Sequence, residues 1–194
     1  PVAYARAIKI LVTEPEAARM QKWAAPTASL KAWEAYVRGS IAANRGTQDG
    51  NEAAVEHLSR AIEADAQFVL AQYALGSVHQ AMGNRWKASA QFRASSQLDP
   101  TFPDAYKALG DLFLTALRRL FDQAEEAYGK AIDLRPFYAE AYVGLGDAKA
   151  AKGDVDGAIG AYQKALLHNP LSGKVHASLG KIYYSEKSLY YESV

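Results

Sequence analysis

Residues 139–172 of the sequence read AEAYVGLGDAKAAKGDVDGAIGAYQKALLHNPLS, and this stretch of 34 residues has the pattern of two packed helices. Gly146 is small enough for a second helix to cross close to the first, and Ala158 and Ala165 give that second helix a flat face. Pro170 ends the second helix because a proline ring cannot continue the hydrogen-bond ladder. One such pair cannot bury its apolar face alone, so we expect neighbouring pairs to stack on it.

Three markers of this pattern recur along the chain in step. They are Leu-Gly pairs, helix-ending prolines, and an alanine followed four positions later by an aromatic residue. In chain order they stand at Leu75-Gly76, Leu109-Gly110, Leu145-Gly146 and Leu179-Gly180; at Pro100, Pro136 and Pro170; and at Ala88/Phe92, Ala124/Tyr128 and Ala158/Tyr162. The intervals within each series are 34 or 36 residues. Because chance rarely gives three markers one period, the sequence predicts a stack of helix pairs.

The pattern resembles the tetratricopeptide repeat (TPR), whose period is about 34 residues. The resemblance covers roughly residues 29–185. It implies an all-α fold, a right-handed α-solenoid of antiparallel helix pairs with about four full repeats, a partial fifth repeat and extra N-terminal helices. The expected domains are an N-terminal helical segment or linker over 1–28 and a solenoid over 29–194, with repeats at 32–68, 69–102, 103–138, 139–172 and 173–194.

Two repeats are longer than the fourth. Gly39 and Ala54 are 15 residues apart, against 12 for Gly146 and Ala158, and we expect the three extra residues in the turn at 46–50. In the third repeat, two extra residues fall within 116–121, so this turn protrudes or the helix before it runs longer.

The ends of the chain suggest a piece of a larger protein. Tyr184, Leu189, Tyr190 and Tyr191 would form an apolar surface, whereas solenoids end in polar caps, so we expect the parent protein to continue. Residues 2–12, VAYARAIKILV, are too short and too charged to span a bilayer, so no membrane insertion is expected.

Composition and motifs exclude several function classes. The net charge is +1 without a basic cluster, which argues against a nucleic-acid partner. No cysteine is present, so disulfides, thiolate metal sites and cysteine nucleophiles are excluded; the compartment stays open, with the cytoplasm favoured over the periplasm. His168 and His176 lack a third metal ligand. With no phosphate-binding loop and no nucleophile beside a base, we expect no enzyme activity and no cofactor.

The resemblance also implies a binding surface. TPR ligands usually lie along the concave groove made by the first helix of each repeat, at its second, fifth, ninth and twelfth positions. The groove residues carried over to this chain are Trp33, Tyr36, Tyr73, Ser77, Gln80, Asp104, Lys107, Asp111, Glu140, Val143, Asp147, Lys174 and Lys181. The groove therefore changes along the chain from aromatic to acidic to basic.

This groove predicts the chemistry of a protein or peptide ligand. TPRs that grip the C-terminal carboxylate of chaperones use Lys and Asn at the fifth and ninth positions. Here those positions hold Tyr73 and Ser77, Lys107 and Asp111, and Val143 and Asp147 in successive repeats. The acids suit instead a segment with an apolar residue and basic residues. The alternative is that the acids only keep helix faces soluble and favour helix N-termini.

Two function classes follow from these observations. The first is a protein-interaction scaffold, and the second is a self-association module that forms a homo-oligomer through the terminal helices. Residues 26–39, PTASLKAWEAYVRG, resemble the entry to TPR regions of multidomain bacterial signalling proteins that carry cyclase, winged-helix or kinase domains. That resemblance implies a module of a larger regulator.

Overall fold

The computed structural model describes residues 27–116 and 120–192, with side chains up to Ser185. Every regular element in these residues is an α-helix, as the sequence predicts. The chain forms two compact units, one ending at Gly83 and the other beginning at Asn84. Unit 1 contains α1 (Leu30–Ala43), α2 (Gln48–Ala64) and α3 (Val69–Ala81), and unit 2 contains α4 (Arg85–Leu98), α5 (Pro103–Leu114), α6 (Phe121–Leu134), α7 (Ala139–Lys152), α8 (Val155–His168) and α9 (Gly173–Glu192). The predicted helices before residue 27 lie outside the described residues.

In the described part of unit 1, three helices pack around two small apolar clusters. Leu58 of α2 is fully buried above Gly39 of α1, where an added Cβ would lie 2.7 Å from the Leu58 Cγ atom. Phe68, just before α3, is buried among alanines of α1, α2 and α3. Small residues thus allow the close helix crossings in this unit.

The extra residues of the first repeat do not lie where the sequence suggested. Helix α2 has 17 residues, while α4, α6 and α8 each have 14. The expected long turn at 46–50 is wrong, because Thr47 caps α2 by accepting a 3.1 Å hydrogen bond from the Gly50 amide. Threonine is a favoured N-cap, so residues 48–50 join the first turn of the helix.

For the third repeat, the structure excludes one of the two expected alternatives, a protruding turn or a longer first helix. Helix α5 ends at Leu114 after 12 residues, so a longer first helix is wrong. The extra residues lie between Leu114 and Phe121. Because residues 117–119 are outside the described part, the protruding turn stays a prediction.

Unit 2 packs two tyrosine rings against glycines. Tyr128 of α6 is fully buried, and an added Cβ at Gly110 or Gly144 would lie 2.7 Å or 2.3 Å from its Cε1 atom. Tyr162 of α8 packs in the same way against Gly146, where the added Cβ would lie 2.6 Å from the ring. The glycines of α5 and α7 therefore make room for aromatic rings from the neighbouring helices α6 and α8.

Polar contacts join successive repeats within unit 2. The Arg85 guanidinium donates to the Leu112 carbonyl oxygen at 2.7 Å, near the end of α5. Lys152, in the last turn of α7, lies 2.7 Å from Asp122 and 3.0 Å from Glu125. Hydrogen bonds to these two carboxylates raise the pKa of Lys152 to about 12. In the described residues, none of the helices is both long and apolar enough to cross a membrane.

Candidate functional site

Unit 2 carries a cavity of about 420 Å³ at the face formed by α5, α7 and the start of α9. Six of the predicted groove residues line it. The lining residues are Lys107, Asp111, Leu114, Thr115, Tyr128, Glu140, Val143, Gly144, Asp147, Ser172 and Lys174. We call this the unit 2 cavity.

Asp111 is held in place by two donors at the edge of the unit 2 cavity. The buried Tyr128 hydroxyl donates to its Oδ1 atom at 2.8 Å, and the Lys107 ammonium donates to its Oδ2 atom at 2.7 Å. Lys107 and Asp111 are four residues apart on α5, so they share one helix face. Both oxygens of this carboxylate therefore have a partner, and its charge is offset.

Asp147 repeats the same arrangement one repeat later. The Tyr162 hydroxyl donates to its Oδ1 atom at 2.7 Å, and Lys174 donates to its Oδ2 atom at 2.7 Å. The cation comes from the start of α9 rather than from the same helix. The cavity is thus flanked by two Tyr-Asp-Lys groups, which fix the aspartates and offset their charges.

The two tyrosine hydroxyls stay protonated at neutral pH. Burial and the nearby Asp111 carboxylate raise the pKa of Tyr128 well above its ordinary value. Burial and the hydrogen bond to Asp147 raise the pKa of Tyr162 in the same direction. Since the neutral hydroxyl is the donor, both aspartates keep this support over the whole neutral range.

Glu140 is the acid of the unit 2 cavity whose charge is not offset. Its side chain is exposed, and within residues 27–116 and 120–185 it takes part in no ion pair. Beside it lie the apolar side chains of Leu114 and Val143 and the bare backbone of Gly144. The cavity therefore offers an apolar surface next to one free negative charge.

Two predicted groove residues of unit 2 lie apart from this cavity. Asp104 pairs with Arg135, at 3.2 and 2.9 Å, and accepts a 2.6 Å hydrogen bond from the Tyr138 hydroxyl. Lys181 is exposed on α9 and does not line the cavity. Three of the four predicted groove acids thus have cationic partners within the chain.

Unit 1 has its own cavity, of about 350 Å³, and its lining carries no charged residue. Tyr36, Tyr73 and Ser77 line it, whereas Gln80 does not. Trp33 is 40% exposed, and its ring packs against Tyr36 and Phe68 at centroid distances of 5.4 and 6.2 Å. The aromatic groove residues of unit 1 are therefore partly used by its own core.

Sequence reasoning missed the role of Tyr128 and Tyr162 in the site. Internal comparison of the repeats could have found it. The third and fourth repeats have Asp after the Leu-Gly pair and Tyr four residues after the marker alanine, whereas the second repeat has Ser77 and Phe92 at these positions. In these three repeats, the aspartate is present only where a tyrosine of the same repeat can donate a hydrogen bond to it.

The two histidines on either side of the turn between the fourth and fifth repeats make other contacts. His168 stacks on Tyr142 at a centroid distance of 5.7 Å. His176 Nε2 lies 2.9 Å from the Pro170 carbonyl oxygen. Among the residues that the structure describes, no group of three or more histidine or carboxylate side chains could hold a metal ion.

Comparisons with known proteins agree with the helical-repeat fold. A model of the family "Tetratricopeptide repeat" matches residues 116–173. Among curated proteins, no significant match was found. Among solved structures, the MamA protein is 25% identical with a TM-score of 0.70, and the match covers 81% of this chain and 83% of that chain.

Two further solved structures share the fold at lower identity. The first TPR of Spaghetti (RPAP3), bound to the HSP90 peptide SRMEEVD, is 22% identical with a TM-score of 0.59, over 63% of this chain and 96% of that chain. A thermophilic TPR protein of Thermus thermophilus is 20% identical with a TM-score of 0.65, over 80% of this chain and 82% of that chain. The predicted all-helical solenoid class is therefore confirmed.

Proposed function

Because this chain is a tetratricopeptide-repeat protein, we propose that it is a non-catalytic scaffold whose unit 2 cavity holds an extended segment of a partner polypeptide. The observation that carries this proposal is that side chains from α5, α7 and α9 meet around one cavity. A similar fold holds a bound peptide in the Spaghetti structure, which supports a peptide-binding role here.

The lining of the cavity suggests which segment binds. Lys107 and Lys174 already offset Asp111 and Asp147, so a ligand gains little from charges directed at these aspartates. Glu140 offers the free charge beside Leu114 and Val143. The proposed ligand therefore has one apolar residue next to one basic residue, instead of a run of basic residues.

The two Tyr-Asp-Lys groups suit the main chain of an extended ligand. Each group presents carboxylate acceptors and ammonium donors, which match the N–H and C=O groups of a peptide. Helices α5 and α7 pack against each other, and packed helices lie about 8–10 Å apart. An extended chain rises about 3.3 Å per residue, so the two groups would contact ligand residues about three positions apart.

Charge reversal at Glu140 tests the proposed ligand chemistry. Peptides selected on the protein from a phage-displayed random library are expected to contain Lys or Arg beside an aliphatic or aromatic residue. Glu140→Lys should weaken their binding about tenfold in low salt, because attraction becomes repulsion. Fluorescence anisotropy with synthetic copies of the peptides measures this.

Glu63→Lys is the matched control, since it makes the same change at an exposed acid of unit 1. Its affinity should equal that of the unchanged protein. The proposed role of Glu140 is contradicted if the selected peptides are acidic, or if Glu140→Lys binds them as tightly as the unchanged protein does.

A second candidate function is self-association through α9. Tyr183 and Tyr184 on this helix are 46% and 78% exposed, and exposed aromatic surface favours a partner. The side chains of Leu189, Tyr190 and Tyr191 lie outside the described residues. Light scattering should then show a molar mass that rises with protein concentration, whereas a constant monomer mass would contradict self-association.

The place of this scaffold in a larger bacterial regulator is also a proposal. It is supported by the entry motif in residues 26–39. In such a regulator, catalysis would lie in a separate domain and the repeats would select the partner.

A further inference from the structure

Unit 2 has a second cavity, of about 670 Å³, between α4 and α6 above α5. Helices α4 and α6 each pack on α5. None of its lining residues lines the unit 2 cavity described above. We call it the α4–α6 cleft.

The floor of the α4–α6 cleft is an apolar strip of α5. Tyr106, Leu109 and Phe113 line it at positions i, i+3 and i+7, so they share one face of the helix. At 1.5 Å per residue, the strip is about 10 Å long. The strip is therefore long enough to contact more than one side chain of a ligand.

Gly129 keeps the cleft open on the side of α6. It lies inside the helix, and an added Cβ would meet nothing within 4 Å. Packing therefore does not require a glycine here. A glycine inside a helix also lowers stability by about 1 kcal/mol relative to alanine. Its effect in the structure is to leave the space above the strip empty.

Two of the three equivalent positions in the fourth repeat make side-chain contacts within the chain. Tyr142, which follows Tyr106 by 36 residues, is stacked by His168. Lys149, which follows Phe113 by 36 residues, is paired with Asp154. A lysine thus interrupts the strip in the fourth repeat, whereas all three positions are apolar or aromatic in the third.

Charged residues border the strip in an alternating order. Glu126, Lys130 and Asp133 line the cleft from α6 at i, i+4 and i+7, which gives the order negative, positive, negative. Arg93 lines it from α4. Across the described ranges 27–116 and 120–185, these four side chains take part in no ion pair. Their charges are available to a ligand.

We propose that the α4–α6 cleft binds an amphipathic helix of a partner protein. An apolar stripe of that helix would lie on Tyr106, Leu109 and Phe113, as in other helix-in-groove complexes. One edge of it would carry positive, negative and positive residues that pair with α6. This surface is separate from the peptide site of the proposed function, so one scaffold can hold two partners.

Two synthetic helical peptides test the proposal directly. Each is hydrocarbon-stapled, about 15 residues long so that it holds a helix, and has leucines at i, i+3 and i+7. The first carries Lys, Glu and Lys along one edge, and the second carries Glu, Lys and Glu. In low salt, the first should bind saturably with a micromolar Kd, and the second should bind at least about tenfold more weakly.

Gly129→Leu places the binding in the cleft, and Gly160→Leu is its matched control. Both glycines lie inside helices with open space at the Cβ position, so both variants should fold. Gly129→Leu should weaken binding of the first peptide at least tenfold, while Gly160→Leu leaves it unchanged. Peptides selected on the unit 2 cavity should bind Gly129→Leu normally.

The proposal is overturned if the first peptide does not bind, if both peptides bind equally, or if Gly129→Leu keeps full affinity. The comparison of the two peptides needs no variant, so it decides the question even if Gly129→Leu fails to fold. Loss of binding in Gly129→Leu with retained binding in Gly160→Leu supports it.

Discussion

Replacing Tyr128 with alanine is expected to lower the free energy of unfolding by about 3–5 kcal/mol. The ring is fully buried between Gly110 of α5 and Gly144 of α7, so its loss leaves a cavity among three helices. It also removes the hydroxyl that donates to Asp111. Urea unfolding followed by circular dichroism measures the change.

Two control variants are needed. One separates the effect of the ring from that of its hydroxyl, and the other shows the effect of removing an exposed tyrosine. Tyr128→Phe keeps the ring and loses a hydrogen bond to a carboxylate, which is worth about 1.5 kcal/mol. Tyr184→Ala removes a tyrosine that is 78% exposed, and it should change stability by less than about 0.5 kcal/mol. If Tyr128→Ala costs no more than Tyr128→Phe, the ring does not hold the repeats together.

Adding one methyl group at Gly144 should destabilise the protein by about 1–3 kcal/mol. The Cβ atom of Gly144→Ala would lie 2.3 Å from both Cε1 and Cζ of Tyr128, far inside van der Waals contact. The ring is buried and tied to Asp111, so it cannot move aside without losing contacts. The shift of the urea midpoint measures this.

Gly160→Ala is the control for helix propensity. Its Cβ meets nothing within 4 Å, so the change should stabilise α8 by up to about 1 kcal/mol. In the Tyr128→Ala background, Gly144→Ala should no longer destabilise, because the clashing ring is gone. A Gly144→Ala protein as stable as Gly160→Ala would show that α7 does not approach the ring as closely as described.

The helix pairs could be predicted from the sequence because their markers act locally. Gly146, Ala158 and Tyr162 identify a close crossing within one repeat, and the structure places the glycine against the ring. The start of α2 was missed because the cap at Thr47 outweighs the repeat spacing. Local capping therefore decides where a helix begins.

The ion pairs of the site could be predicted only in part. The pair of Lys107 and Asp111, four residues apart on a helix, follows from helical spacing. The partners of Asp147 and Asp104, namely Lys174 and Arg135, lie 27 and 31 residues away in sequence. Such contacts depend on how one repeat stacks on the next, which the spacing of the repeats does not give.

Mapping of amide chemical shift changes by NMR tests the central claim most directly, with a library-selected peptide as the probe. The largest changes are expected at the residues of α5, α7 and α9 that line the unit 2 cavity, among them Asp111, Val143, Asp147 and Lys174. Saturable changes confined to other surfaces, or no changes with any selected peptide, would contradict the assignment of this cavity as the binding site.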